Sequence, residues 1–164
     1  AFDAPLVRRP GGKPVLPFSS SLRFSVTHSR HLAMFAFARN REVGIDVELI
    51  NRRVEVELIA ARFFSPEEVA GLNALPVQRR LEGFFHLWVQ KEAYLKGRGE
   101  GILAGLDHFD VATDPDRPAA LIADRRDPAA ATQWVLSTVD AGAGFRGALA
   151  VEGRPTTIQR FTWG

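Results

Sequence analysis

The sequence predicts an α+β domain in which an antiparallel sheet packs against one long helix. Three observations carry this. Strand-length segments gather at residues 22–50 and again after residue 105. Helical patterns are confined to residues 54–97 between them. The order strands, helices, strands is not the alternation of a doubly wound βαβ fold. A length of 164 residues suits one domain, 1–164, with a sizeable core.

Residues 1–21 are rich in Pro, Gly and Ser and read as a loop or extended arm. "LRFSVTHS" (22–29) alternates as a strand does. "HLAMFAFAR" (31–39) is an apolar run of strand length, and "NRE" after it makes a turn. "VGIDVELI" (43–50) places Val43, Ile45, Val47 and Leu49 on one face and Gly44, Asp46 and Glu48 on the other. Three consecutive strands predict an antiparallel meander. Residues 54–75 read helical. Within them "SPEE" (65–68) is a helix start, with Ser65 as N-cap, Pro66 at the first position and acids in the first turn. A longer helix follows Pro76 and runs to about Gly97. After "GRGEG" (97–101) the pattern predicts strands at 106–113, 119–123, 132–139, 144–151 and 156–163. "DAGAG" (140–144) is the turn of a hairpin. The final strands are expected to return to the first sheet.

Composition excludes several classes. The net charge is only +2, and no polybasic tract alternates with aromatics, which argues against a nucleic-acid binder. Without cysteine there is no disulfide framework, thiolate metal site or cysteine nucleophile. No apolar run approaches the roughly 20 residues of a membrane span. No secretory signal opens the chain, and with the lack of cysteine this points to the cytoplasm. The first residue is Ala1, so the expectation is that the start has been removed or that the chain is a fragment.

Lysine is scarce: 18 arginines stand against Lys13, Lys91 and Lys96. Each lysine is either a chance survivor of an arginine-rich composition or marks a site needing a compact ammonium. Two of the three flank Glu92. At about 100° per residue, Leu81, Phe84, Phe85 and Trp88 form one apolar stripe. Glu92 continues that stripe, Leu95 flanks it, and Lys91 and Lys96 fall on opposite sides of Glu92. A buried carboxylate costs several kcal/mol unless paired. Glu92 therefore either pairs with Lys96 at i,i+4 or helps hold a metal. Asp46 and Glu48, two apart, project from one strand face about 6.5–7 Å apart. They are either solvated or bridged by a cation. If the three carboxylates converge, oxygen ligation favours Mg²⁺ or Mn²⁺ over Zn²⁺. Mg²⁺ completes its shell with water and phosphate, so neighbouring lysines point to a phosphate-bearing substrate.

These residues resemble a known family. "VGIDVE" (43–48) and "WVQKEAYLK" (88–96), with 41 residues between Asp46 and Trp88, are similar to the signature of the 4′-phosphopantetheinyl transferases of the surfactin-synthetase-activating type. "GGKPVL" (11–16) resembles the family's Gly-Lys-Pro arm, and "FSVTHS" (24–29) its Ser-His-Ser strand. "AARFFSPEE" (60–68), "FFHLW" (84–88) and "GRGEGI" (97–102) also match in order. Val89 stands where the family usually has Ser, Thr or Cys, with Gln90 after it, and Gly11 replaces a common aromatic.

The resemblance implies a fold, one half of the family's pseudo-dimer, with an N-terminal half absent. It implies a reaction: Mg²⁺-dependent transfer of 4′-phosphopantetheine from coenzyme A to a serine of an acyl or peptidyl carrier protein. Adenosine 3′,5′-bisphosphate is the other product, and the setting is fatty acid, polyketide or nonribosomal peptide biosynthesis. It implies that Asp46, Glu48 and Glu92 hold the metal and that Glu92 is the base. Lys96 would stabilise phosphate charge, assisted by Lys91. Lys13, Pro14, Thr27 and His28, with Asp46, would meet the coenzyme. Arg52, Arg53, Arg62, Arg79 and Arg80 are either solvated or a face for an acidic carrier. A lone half is expected to belong to a longer protein or to self-associate. Two other readings share the same residues: a non-catalytic carrier-binding module, and another Mg²⁺-dependent phosphodiester-cleaving enzyme.

Overall fold

The structure is a computed structural model and describes residues 6–17, 20–51, 53–101, 105–154 and 157–162. In chain order its elements are β1 (Val7–Arg8), β2 (Pro14–Val15), β3 (Leu22–Ser29), β4 (Leu32–Arg39), β5 (Val43–Leu49), α1 (Val56–Phe63), α2 (Pro66–Ala74), α3 (Val77–Arg98), β6 (Phe109–Val111), β7 (Leu121–Asp124), α4 (Ala130–Gln133), β8 (Trp134–Val139) and β9 (Phe145–Glu152). This is the expected α+β class, with antiparallel sheets against a long helix.

The central sheet has the order β5–β9–β8, all antiparallel. The final hairpin therefore returns to β5, with Asp46 opposite Ala148 and Glu48 opposite Arg146. The expected meander is not formed. β3 and β4 make a separate antiparallel hairpin, and the backbone partner of β5 is β9. The reason lies in the alternating hydroxyls of β3. The amides of Ile45, Val47 and Leu49 donate to the hydroxyls of Ser25 (3.1 Å), Thr27 (3.3 Å) and Ser29 (3.0 Å). Side chains thus satisfy the β5 edge where a backbone ladder was expected.

Helix α3 crosses the sheet face that carries Gly44, Asp46 and Glu48. Only small residues fit beneath it. A Cβ at Gly44 would lie 2.0 Å from the Ala93 carbonyl, and Ala148 and Ala150 are fully buried. The opposite face, with Val43, Ile45 and Leu149, packs on Ala36, Met34 and Ala38 of β4. The apolar stripe of α3 joins the main core, where Phe84 stacks on Trp88 at 5.8 Å and Phe64 lies 5.5 Å from Phe84. Ser65 caps α2 in a reciprocal capping box with Glu68, as "SPEE" predicts.

The later strands are shorter than the pattern predicts. Residues 106–113 keep only β6, and 132–139 opens with the single helical turn α4. Of the strand expected at 156–163, the described residues 157–162 run exposed with no strand, after Gly153 turns at φ 89°. Among the described residues, no helix is long and apolar enough to cross a membrane.

Candidate active site

The alternation of β5 aims Asp46 and Glu48 at the helix side, and the period of α3 aims Trp88, Glu92 and Lys96 back at them. β3 supplies the third wall. The result is a cleft of about 460 Å³ lined by Val26, Thr27, His28, Asp46, Glu48, Trp88, Glu92 and Lys96. It brings Thr27, His28, Asp46, Glu48, Glu92 and Lys96 together from three elements distant in sequence.

Lys96 does not pair with Glu92 one turn away. Its Nζ lies 2.6 Å from Asp46 Oδ1 and 3.3 Å from Thr27 Oγ1. Thr27 accepts the Val47 amide, so its single proton goes to Asp46 Oδ1 at 3.0 Å. Ser29 repeats this arrangement two residues on. It accepts the Leu49 amide and donates to Glu48 Oε2 at 2.9 Å. The sequence motif "FSVTHS" contains Ser29 but by itself assigns it no role. The available signal was the spacing of hydroxyls at 25, 27 and 29, which matches the spacing of Asp46 and Glu48.

The cleft holds more negative charge than its partners neutralise. Asp46 Oδ2 and Glu92 Oε1 are buried and accept no hydrogen bond among the described residues. Burial pushes Asp46 upward, against the pull of Lys96 and Thr27. Glu48 is also raised, chiefly by burial. Glu92 is pushed up to about 7, by burial first and then by the charge of Asp46. A carboxyl poised there takes up a proton readily near neutral pH.

These residues fit a hard divalent cation. Asp46 and Glu92 both line the cleft, each has a buried carboxylate oxygen without a donor among the described residues, and oxygen donors suit Mg²⁺. The fit is to a partly hydrated ion: among the described residues, no group of three or more His, Asp or Glu side chains is disposed to hold a metal by itself. Mg²⁺ ordinarily takes one or two carboxylates plus water and phosphate.

Two lysines and a proline are not brought to the cleft. Lys91 is wholly buried on the far side of α3. Its Nζ meets Glu68 Oε2 (2.7 Å) and the carbonyls of Leu106 (2.7 Å) and Phe109 (2.6 Å). Lys13 is buried at the C-terminal end of α3. It bonds Glu42 Oε2 (2.8 Å) and the carbonyls of Val43 (3.0 Å) and Gly97 (2.8 Å). Pro14 pairs with Arg8 in the arm. Val89 is a core residue, and Gln90 ties α3 to the following segment. The Gln90 amide donates to His86 O and Ala112 O and accepts the Ala120 amide.

Comparison with known proteins places this geometry in a family. Residues 42–150 match the model of the 4′-phosphopantetheinyl transferase superfamily. The chain is 41% identical over 113 residues to the 4′-phosphopantetheinyl transferase HetI of Nostoc sp., covering 67% of this chain and 47% of HetI. It is 40% identical over 111 residues to psf-1 of Bacillus pumilus, 67% of this chain and 46% of that protein. It is 35% identical over 105 residues to Sfp of Bacillus subtilis, 64% of this chain and 46% of Sfp. The chain spans about half the length of these relatives. With the β5 carboxylates and the α3 motif both inside the matched region, the chain belongs to the 4′-phosphopantetheinyl transferase superfamily.

Proposed function

We propose that this chain carries the catalytic cleft that transfers 4′-phosphopantetheine from coenzyme A to a serine of a carrier protein. The observation behind this reading is the pairing of Lys96 with Asp46 beside two buried carboxylate oxygens, on Asp46 and Glu92, that have no donor among the described residues. That arrangement suits a pyrophosphate, whose charge needs both an ammonium and a cation.

Asp46, Glu48 and Glu92 are the residues that would hold a partly hydrated Mg²⁺, one or two of them as direct ligands and the rest through its water. When bound, the ion supplies charge neutralisation at the pyrophosphate oxygens. Glu92 receives the proton of the carrier serine. The serine oxygen forms a bond to the phosphorus bearing the pantetheine arm. The bridging P–O bond breaks, and adenosine 3′,5′-bisphosphate leaves with the bonding electrons. Lys96, whose side chain stays partly exposed in the cleft, stabilises the charge that develops on the phosphate. Trp88 and Val26 line the cleft with apolar surface. Thr27 and Ser29 fix the carboxylates of Asp46 and Glu48 through their single protons.

The cleft is completed by further protein, either the rest of a longer chain or a second copy. Supporting this, the outer face of the β3–β4 hairpin exposes Phe35 (59%), Phe37 (63%) and Val26 (40%). Val26 also lines the cleft, so the apolar face and the site are continuous.

The test is the nucleotide product. With coenzyme A, Mg²⁺ and an apo carrier, adenosine 3′,5′-bisphosphate is expected only when carrier is present. Release without carrier would mean simple phosphodiester cleavage. Carrier binding with no release would mean a non-catalytic module.

A further inference from the structure

Lys13 sits where the arm, the start of β5 and the end of α3 meet. Its side chain is 6% exposed, and its Nζ has three acceptors within 3.0 Å: Glu42 Oε2, Val43 O and Gly97 O. An ammonium has three protons, so all of them are taken. The acceptors come from the start of β5, with Glu42 just before it, and from the end of α3, which pack directly on one another beside the cleft. Gly97 directly follows Lys96. Val43 lies three residues before Asp46. One ammonium thus ties the backbone beneath Lys96 to the backbone leading to Asp46.

The arm is built to deliver this group. Residues 9–13 close a tight turn, with the Gly12 amide on Arg9 O (2.8 Å) and the Arg9 amide on Lys13 O (3.0 Å). Gly12 has φ 85°, in the left-handed region that favours glycine. Gly11 lies against the α3 terminus so closely that a Cβ there would stand 1.9 Å from the Gly99 carbonyl. Glu42, which accepts from Lys13, also accepts from Arg9 at 2.8 Å and pairs with Arg23 at 3.3 Å. A planar guanidinium cannot direct three bonds to acceptors around one nitrogen, which accounts for lysine in an arginine-rich chain.

We infer that Lys13 is a positioning residue: it clamps the C-terminal end of α3 to β5 and so holds Lys96 against Asp46. It does not touch the coenzyme, in contrast to the role that the Gly-Lys-Pro resemblance implies. The inference rests on the transferase reading for its kinetic consequence, and on the fold alone for the clamp. Displacing a catalytic group by about 1 Å costs on the order of 10²-fold in rate.

The experiment compares wild type, Lys13→Ala and Ser65→Ala, the last losing a remote helix cap. All are measured below their melting temperatures. Amide hydrogen exchange at Lys96 and Gly97 reads the clamp without substrate. It is expected to rise at least tenfold in Lys13→Ala and to stay at the wild-type rate in Ser65→Ala. The Kd for coenzyme A, by calorimetry, is expected within about twofold of wild type, with kcat lowered roughly 10- to 100-fold. Methylammonium, which fits the vacated pocket, is expected to restore part of the rate in Lys13→Ala only. A coenzyme Kd raised tenfold with unchanged kcat would overturn the inference in favour of a ligand contact. Unchanged exchange at Lys96 and Gly97 would overturn it as well, as would a lowered Tm with unchanged kcat. If wild type transfers nothing even when supplied with the protein that completes its cleft, the transferase reading fails by itself, and the exchange rates still decide the clamp.

Discussion

Lys96 Nζ and Asp46 Oδ1 stand 2.6 Å apart, joining the end of α3 to the middle of β5 across the cleft. The pair is formed by one mostly buried carboxylate and one ammonium that remains partly exposed on the cleft side. The ammonium can therefore serve a substrate phosphate without leaving its own partner. Lys96→Met is expected to lower kcat about 10²-fold, with a much smaller change in coenzyme A affinity. Steady-state kinetics with calorimetry checks this. Equal losses in affinity and turnover would reduce Lys96 to an ordinary phosphate contact.

Glu92 links stability to pH. Folded, it holds its proton up to about 7, against 4.5 for an ordinary glutamate, because it is buried beside Asp46. Between those values the folded state keeps a proton that the unfolded chain has lost, so stability falls as pH rises. The contribution is complete below pH 4.5 and lost by about pH 7. In metal-free protein, Tm is expected to drop over that window in wild type and to drop less in Glu92→Gln. Parallel curves would show that Glu92 titrates normally.

Lys91 supports the fold from the far side of the same helix. It and Glu68 are both almost fully buried, and burial pulls Lys91 down and pushes Glu68 up. Lys91→Met strands the Glu68 carboxylate and is expected to cost about 3–5 kcal/mol. Denaturant unfolding measures the loss. Coenzyme A affinity of the folded fraction should stay at the wild-type value, and a tenfold weakening would return Lys91 to the site.

Ser29 is expected to matter twice. Ser29→Ala removes the acceptor for the Leu49 amide and the donor to Glu48. The loss should be about 1–2 kcal/mol, with faster amide exchange at Leu49, and Ser29→Thr should recover both. If exchange at Leu49 does not change, the hydroxyl ladder does not hold β3 to β5.

Much of this was legible in the sequence because it is local. The period of 43–49 and of 77–98 places Asp46, Glu48 and Glu92 on the right faces, and "SPEE" gives the α2 start residue by residue. What was not legible is set by long-range partners. The choice of β9 over β4 as the neighbour of β5 depends on β3 hydroxyls that satisfy the free edge. The scarcity of lysine draws attention to Lys13, Lys91 and Lys96. It did not reveal that Lys13 and Lys91 find their acceptors on backbone carbonyls of remote segments. The short β6 and the missing strand at 157–162 show the limit of alternation as a signal where no neighbouring strand is in place.

We propose that the cleft between β5 and α3 performs phosphopantetheine transfer with Glu92 as the base. Intact-mass measurement of an apo carrier protein, incubated with coenzyme A, Mg²⁺ and either wild-type chain or Glu92→Gln, tests it most directly. The expected result is a carrier heavier by one phosphopantetheine arm on its serine with wild type, supplied with its second half or as a self-assembled form if needed, and an unmodified carrier with Glu92→Gln. A carrier modified equally by both would contradict the account.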